Sequence, residues 1–248
     1  MRFSAHTLRV WMLAAMICLP VSSEEPLEFI ELEGIIEPSE VVAVSSPVPG
    51  VLSEVLVERG DFVKKGQVLV RLVSGVEQAA VKLAQARTEF GKRKLERNEE
   101  LYRKELISVN DKDELSTEVN LSELQENEAA ERLKLRTISS TIDGVIMERL
   151  GSAGEYVGEK PFLTLAKINP LNVEVVVPVE HLGLITKGMA ATVIPEAPVG
   201  GEFPVKVVIV DHVVDAASGT FGVRLALSNP DNTLHAGIKC RVRFTRKD

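Results

Sequence analysis

Offsetting the chain against itself by 94 residues aligns two short stretches: Ser46 with Ser140, Gly50 with Gly144, Val51 with Val145, Gly60 with Gly154 and Val63 with Val157. Asp61/Glu155 and Phe62/Tyr156 are conservative pairs in the same frame. Each copy reads as a glycine turn, a short apolar strand, a second turn of Gly plus an acid, and another strand ending near Val70 or Leu165. Two half-motifs separated in sequence must meet in space to bury their apolar faces, so the repeat predicts one small, split β-domain. Glycine suits the corners Gly50, Gly60, Gly144 and Gly154 because it reaches positive φ without a Cβ penalty. These four are assigned to folding.

Between the copies the texture changes. From Val76 to Ile138 there is no proline, the only glycine is Gly91, and Glu, Lys, Arg, Leu and Ala dominate, which is helix composition. The first arm, to about Leu106, repeats Val76, Leu83, Phe90 and Arg97 at heptad spacing, with Ala80, Lys94 and Leu101 on the adjoining row. The second, from about Val109 to Arg136, places Leu115, Val119, Ala129 and Leu133 on one face. At about 1.5 Å per residue each arm is about 45 Å long, and heptad spacing predicts a two-helix coiled coil. The break falls at Ile107-Ser108, where Ser108 and Asp111 resemble a capping box that starts the second helix. The seam is thin, because Arg97, Lys94 and Ser122 stand where a stable isolated hairpin would carry leucine. Polar heptad positions can set register or face another chain, but most of the charged residues here read as solvated charge on an exposed helix.

After the second half-motif the pattern returns to strands: Leu171 to Val177, Ala190 to Ile194, Val205 to Val213, Thr220 to Leu227 and Ile238 to Phe244. His181 to Lys187 reads as one short helix closing at Gly188. Regularly spaced short strands predict a small β-barrel, and Leu27 to Ile36 adds another strand. Cys240 lies where apolar and basic residues alternate, a period that puts it on an inner strand face as a structural thiol.

The start of the chain carries an address. Arg2 and Arg9 precede a nearly continuous apolar run, Val10 to Val21, and small residues, Val21-Ser22-Ser23, come before Glu24-Glu25. This is the pattern of a secretory signal peptide; an uncleaved anchor is the alternative, with an apolar run short for a span. Cys18 follows the bulky Ile17, which does not suit a lipidation site. Removing residues 1–23 leaves 27 Lys+Arg against 36 Asp+Glu, a balance of −9. An acidic chain with 4% aromatics lacks the basic footprint of a nucleic-acid binder.

Catalytic chemistry finds little support. His181, His212 and His235 are scattered without zinc-ligand spacing, and there is no Gly-x-Ser-x-Gly elbow. A methionine-rich copper or silver site is also unsupported, since Met1, Met12 and Met16 belong to the leader. A true lipoyl or biotinyl carrier needs a lysine at the turn joining the half-motifs. That turn is Val73-Ser74-Gly75-Val76, and the nearest lysine, Lys82, lies within the helical arm. The chain is therefore read as no enzyme, with no cofactor and no metal.

The order half-motif, helical hairpin, half-motif and barrel behind an export signal resembles the periplasmic adaptor subunits, or membrane fusion proteins, of tripartite efflux pumps. The residues that carry the resemblance are Pro47 to Gln67, Asp143 to Val157, and the barrel stretches Ser218 to Arg224, Asn229-Pro230-Asp231 and Leu234 to Gly237. It implies a mainly β fold with an inserted α-helical coiled-coil hairpin: leader 1–23, strand region 24–40, split lipoyl-like domain 41–75 and 138–169, hairpin 76–137, and barrel 170–248. A membrane-proximal domain is expected to be absent, because the chain ends four residues after its last strand.

At the hairpin tip the family carries an Arg, a Leu four residues on and a Ser seven further, matched here by Arg97, Leu101 and Ser108. The resemblance implies that these dock onto an outer-membrane exit duct of the TolC type. Arg offers a planar five-donor fork, Leu fills a helical groove, and Ser adds a small hydrogen-bonding group. Seam, cap and solvated charge account for each residue singly. The implied partners are that duct, an inner-membrane transporter favoured as the resistance-nodulation-division type, and further copies of the chain in a ring-shaped homo-oligomer, a hexamer by family. The expected location is the Gram-negative periplasm. An ATP-driven exporter's adaptor and an exported coiled-coil scaffold are the alternative readings.

Overall fold

A computed structural model describes residues 29–104 and 106–245; the leader lies outside the described residues. In chain order the elements are β1 (Phe29–Val44), β2 (Gly50–Val55), β3 (Phe62–Val63), β4 (Val68–Leu72), α1 (Gly75–Arg103), α2 (Val109–Lys134), β5 (Thr137–Ser139), β6 (Gly144–Arg149), β7 (Tyr156–Val157), β8 (Leu163–Pro178), β9 (Ala190–Pro195), β10 (Phe203–Val210), β11 (Thr220–Leu227) and β12 (Lys239–Thr245).

The repeat in sequence is a repeat in hydrogen bonding. Gly154 N–H donates to the Leu52 carbonyl and Gly60 N–H to that of Ile146, while Leu52 N–H donates to Glu155 and Ile146 N–H to Asp61. Each bond has its counterpart 94 residues away. Buried Ser46 and Ser140 likewise donate to carbonyls two residues on, Val48 at 2.5 Å and Ile142 at 2.6 Å. The half-motifs thus exchange strands about a pseudo-two-fold axis, β2 pairing β7 and β6 pairing β3. Their shared core holds Leu52, Leu69, Leu72, Ile146, Leu163 and Leu165.

Six strands close a barrel in the order β1, β12, β9, β10, β11, β8 and back to β1. Alternation fills it: along β11 Phe221, Val223, Leu225 and Leu227 point inward, and the chain reads buried at every second residue. Outside the core, Arg224 of β11 donates to Glu174 of the neighbouring β8, a cross-strand charge pair. Cys240 is buried on the inner face; burial first, then the Glu196 charge, pushes its thiol up to about 11, so it stays protonated and inert.

The two domains are not joined by a loop. β1 and β8 are 16 residues each and run through both, paired from Gly34–Val175 at the barrel end to Val44–Leu163 at the lipoyl-like end, with an irregularity between Pro38 and Glu40. Sequence patterning split these strands at the domain boundary. Pairing register merges them. Asn229 secures the same junction: its buried side chain donates to Ile168 and Leu234 carbonyls at 3.0 Å each and accepts from Leu234 N–H at 3.0 Å. Asn229→Leu should lower unfolding stability by about 3 kcal/mol, because it strands those buried backbone groups. A shift in denaturation midpoint at constant slope checks it.

The helix expected over His181 to Lys187 does not form. Only a 3₁₀ turn, Val179–His181, is present, because Gly183, inside the expected span, takes a φ of 86°, which a helix interior does not accommodate.

Candidate functional site

α1 and α2 lie antiparallel, as their cross-links establish: Glu77 with Arg136 at 2.6 Å near the base, then Lys92 with Glu123 at 2.7 Å and Lys94 with Glu118 at 3.2 Å. The Glu77 carboxyl is held below its usual range by its own backbone N–H and then by the Arg136 guanidinium. Arg136 also donates to the Pro49 carbonyl at 3.0 Å, tying the hairpin base to the first half-motif.

The inner row of α1 differs from the one read off its apolar residues. A covered row runs through Glu77, Val81, Ala84, Thr88, Gly91, Leu95, Asn98 and Tyr102, stepping alternately by four and three, with Lys94 and Glu99 also half-buried beside it. Val76, Leu83 and Phe90, expected in the seam, are instead 81%, 56% and 58% exposed. Close approach explains the choice. A Cβ at Gly91 would stand 3.2 Å from Val119 Cγ2, so small residues face α2 and the bulky ones turn away. On α2 the expected face is the covered one: Val119 is buried, and Leu115, Ala129 and Leu133 are half-buried. Within the seam the buried Thr88 hydroxyl has no hydrogen-bond partner.

At the tip α1 stops at Arg103, earlier than its composition suggested. Lys104 and Leu106 N–H both donate to the Leu101 carbonyl, at 3.2 and 2.9 Å, which turns the chain. Ser108 starts α2 with the capping box read from the sequence: its Oγ accepts from Asp111 N–H at 3.2 Å, and its own N–H donates to the Asp111 carboxylate at 3.0 Å. The Ser108 hydroxyl, then its backbone N–H, hold the Asp111 carboxyl low, so the cap stays charged at neutral pH. Lys112 Nζ sits 4.9 Å from the Tyr102 ring centre, a cation–π contact bracing the turn.

Among the described residues no hydrogen bond links the three tip residues to one another. Arg97 and Ser108 are exposed and Leu101 is 38% exposed. Arg97 and Leu101 lie one turn apart on one flank of α1, and Ser108 stands at the tip with its hydroxyl spent on the cap. Leu106 and Val109, 66% and 55% exposed, add an apolar tip that sequence reasoning passed over. Its signal was two branched apolar residues beside a helix break with no heptad partner.

The four repeat glycines divide into two kinds. Gly60 and Gly154 take φ of 94° and 89°. Gly50 and Gly144 do not; they admit close neighbours, a Cβ at Gly144 lying 2.3 Å from the Ala166 carbonyl oxygen and one at Gly50 lying 2.7 Å from Arg136 Nη1. Among the described residues no group of three His, Cys, Asp or Glu is placed to hold a metal ion, and no helix is long and apolar enough to cross a membrane.

A family model for the CzcB-like barrel-sandwich hybrid domain matches residues 40–166, and one for the CusB-like beta-barrel domain matches residues 171–248. An uncharacterised protein of Haemophilus influenzae is 24% identical over 230 residues, covering 91% of this chain and 60% of that protein. The chain spans about 60% of the length of the sequence relatives it matches. Among solved structures, a MacA-MexA chimera containing the Pseudomonas aeruginosa MexA alpha-hairpin domain superposes with a TM-score of 0.77 at 18% identity, covering 90% of this chain and 84% of that one. The membrane fusion protein Spr0693 of Streptococcus pneumoniae superposes at 0.70 and 18% identity, covering 88% of this chain and all of its own. These likenesses establish the fold. With one model spanning slightly more than half of the residues and a second taking up the barrel, the chain belongs to the membrane fusion protein family, with a CzcB-like barrel-sandwich hybrid domain and a CusB-like β-barrel.

Proposed function

We propose that this chain is a noncatalytic periplasmic adaptor of a tripartite efflux pump. Its barrel holds an inner-membrane transporter of the resistance-nodulation-division type, its copies form a ring, and its hairpin reaches a TolC-type outer-membrane duct. The observation that carries this reading is the tip: a helical pair anchored at its base by Glu77 and Arg136 presents exposed Arg97 and Leu101 beside a capped turn. Such an arrangement can dock but offers no reacting group. Energy comes from the transporter, and the adaptor seals and couples by geometry.

The test is photocrosslinking from position 109, exposed beside Ser108, in intact cells. Capture of an outer-membrane duct protein is the expected result. Capture of nothing but further copies of the chain favours an exported scaffold instead.

A further inference from the structure

Each helix of the hairpin fully buries one residue, Val119 on α2 and Thr88 on α1. The hydroxyl of Thr88 is thus enclosed, the residue being 2% exposed, with no hydrogen-bond partner. A hydroxyl inside a helix ordinarily donates to the carbonyl four residues back. On α2 those of Thr117 and Ser122 do so, bonding Asp113 at 2.8 Å and Glu118 at 3.0 Å. Thr88 makes no such bond, in a place where solvent cannot supply one, and an enclosed hydroxyl without a partner destabilises the packing around it.

The surroundings do little to offset this. Three residues on stands Gly91, and glycine is the least favourable residue of a helix interior short of proline. Opposite this stretch in the antiparallel pair, α2 covers Glu126, Ala129, Ala130 and Leu133, mostly small side chains that bury little apolar area. The bulky Leu83 and Phe90 of α1 and Leu121 and Leu124 of α2 are all exposed. Cross-links bracket the stretch without entering it: Glu77 with Arg136 at the base, then Lys92 with Glu123 and Lys94 with Glu118 in the outer half. Among the described residues no hydrogen bond or ion pair joins the helices from Gln78 to Gly91, about 20 Å of α1.

We propose that Ala84 to Gly91 forms a joint at which the hairpin opens between two bolted ends, and that the buried Thr88 hydroxyl is the group that favours opening. Closed, the hydroxyl is stripped of water and receives no bond in exchange. Once the helices part by the width of a water molecule, solvent bonds it. The closed and open forms therefore lie close in free energy, and the tip can tilt against the β-domains while the cross-links on either side of the joint persist. That the tilt serves docking rests on the adaptor reading; the joint itself does not.

Amide hydrogen exchange of the full chain, read on overlapping peptides by mass spectrometry, reports the opening equilibrium segment by segment. Amides of residues 84–91 are expected to exchange about tenfold faster than those of 92–98, although they lie nearer the anchored base, where a hairpin fraying only from its tip would protect them better. Thr88→Val replaces the hydroxyl with a methyl of similar shape and should slow exchange over 84–91 about tenfold, with unchanged circular dichroism. Thr88→Ser keeps the hydroxyl and should not slow it. Exchange that rises steadily from base to tip, a Thr88→Val variant that exchanges like the parent, or a Thr88→Ser variant as protected as Thr88→Val overturns the joint. Exchange is measured without transporter or duct, so a failure here leaves capture from position 109 standing, and failed capture leaves the joint standing.

Discussion

Gly144→Ala is expected to cost about 3 kcal/mol or more of unfolding stability, while Gly50→Ala, its counterpart in the repeat, costs about 1 kcal/mol or less. The new methyl at position 144 would lie 2.3 Å from the Ala166 carbonyl oxygen and 2.9 Å from its carbon. Both are backbone atoms of β8, the strand that spans both domains and pairs with β6 at Val145–Ala166. Relief requires prying β6 from β8, which opens the core around Ile146 and Leu165, 1% and 0% exposed. At position 50 the obstacle is the end of the flexible Arg136 side chain, which can shift at the loss of its bond to Pro49 and some loosening of its bridge to Glu77. Denaturant titration of both variants reads the difference. Equal losses would mean that the pseudo-symmetry extends to the packing, against the geometry found.

The second large effect is on transport. Arg97→Asp is expected to reduce export to the level of cells lacking the chain, with folding and assembly of the β-domains unaltered. Its side chain is exposed and makes no ion pair among the described residues, so reversing the charge removes a docking fork without opening any core. Ser108→Arg is also expected to abolish export, but it dismantles the capping box, a local cost of about 1 kcal/mol. Ser108→Thr keeps a capping hydroxyl and separates the two causes. Normal export by Arg97→Asp would end the docking assignment.

The alternation of apolar and polar residues made the barrel legible, because a strand with one buried face has a period of two whatever it pairs with. Thr220 to Leu227 was delimited to the residue. The continuity of β1 and β8 was not legible, since pairing between strands far apart in sequence, as where Glu40 pairs with Lys167, leaves no local mark. The short helix at His181 to Lys187 was misread because Gly188 was taken as its stop while Gly183, which breaks the span from within, was not weighed. In the hairpin, helix content and the Ser108 cap follow from local rules. The face of α1 does not: Val76, Leu83 and Phe90 satisfy a heptad, and so do Val81, Thr88 and Leu95.

What the sequence by itself determined is therefore the split repeat, the helical insert, its turn at Ser108 and the inward face of each barrel strand. These depend on hydrogen bonding and periodicity within a few residues, or on identity between two copies. What only the tertiary structure decided is which side of α1 meets α2. That choice rests on close approach at Gly91 and on the Glu77–Arg136 anchor 59 residues apart, contacts that exist only once the half-motifs have met and fixed both ends of the hairpin.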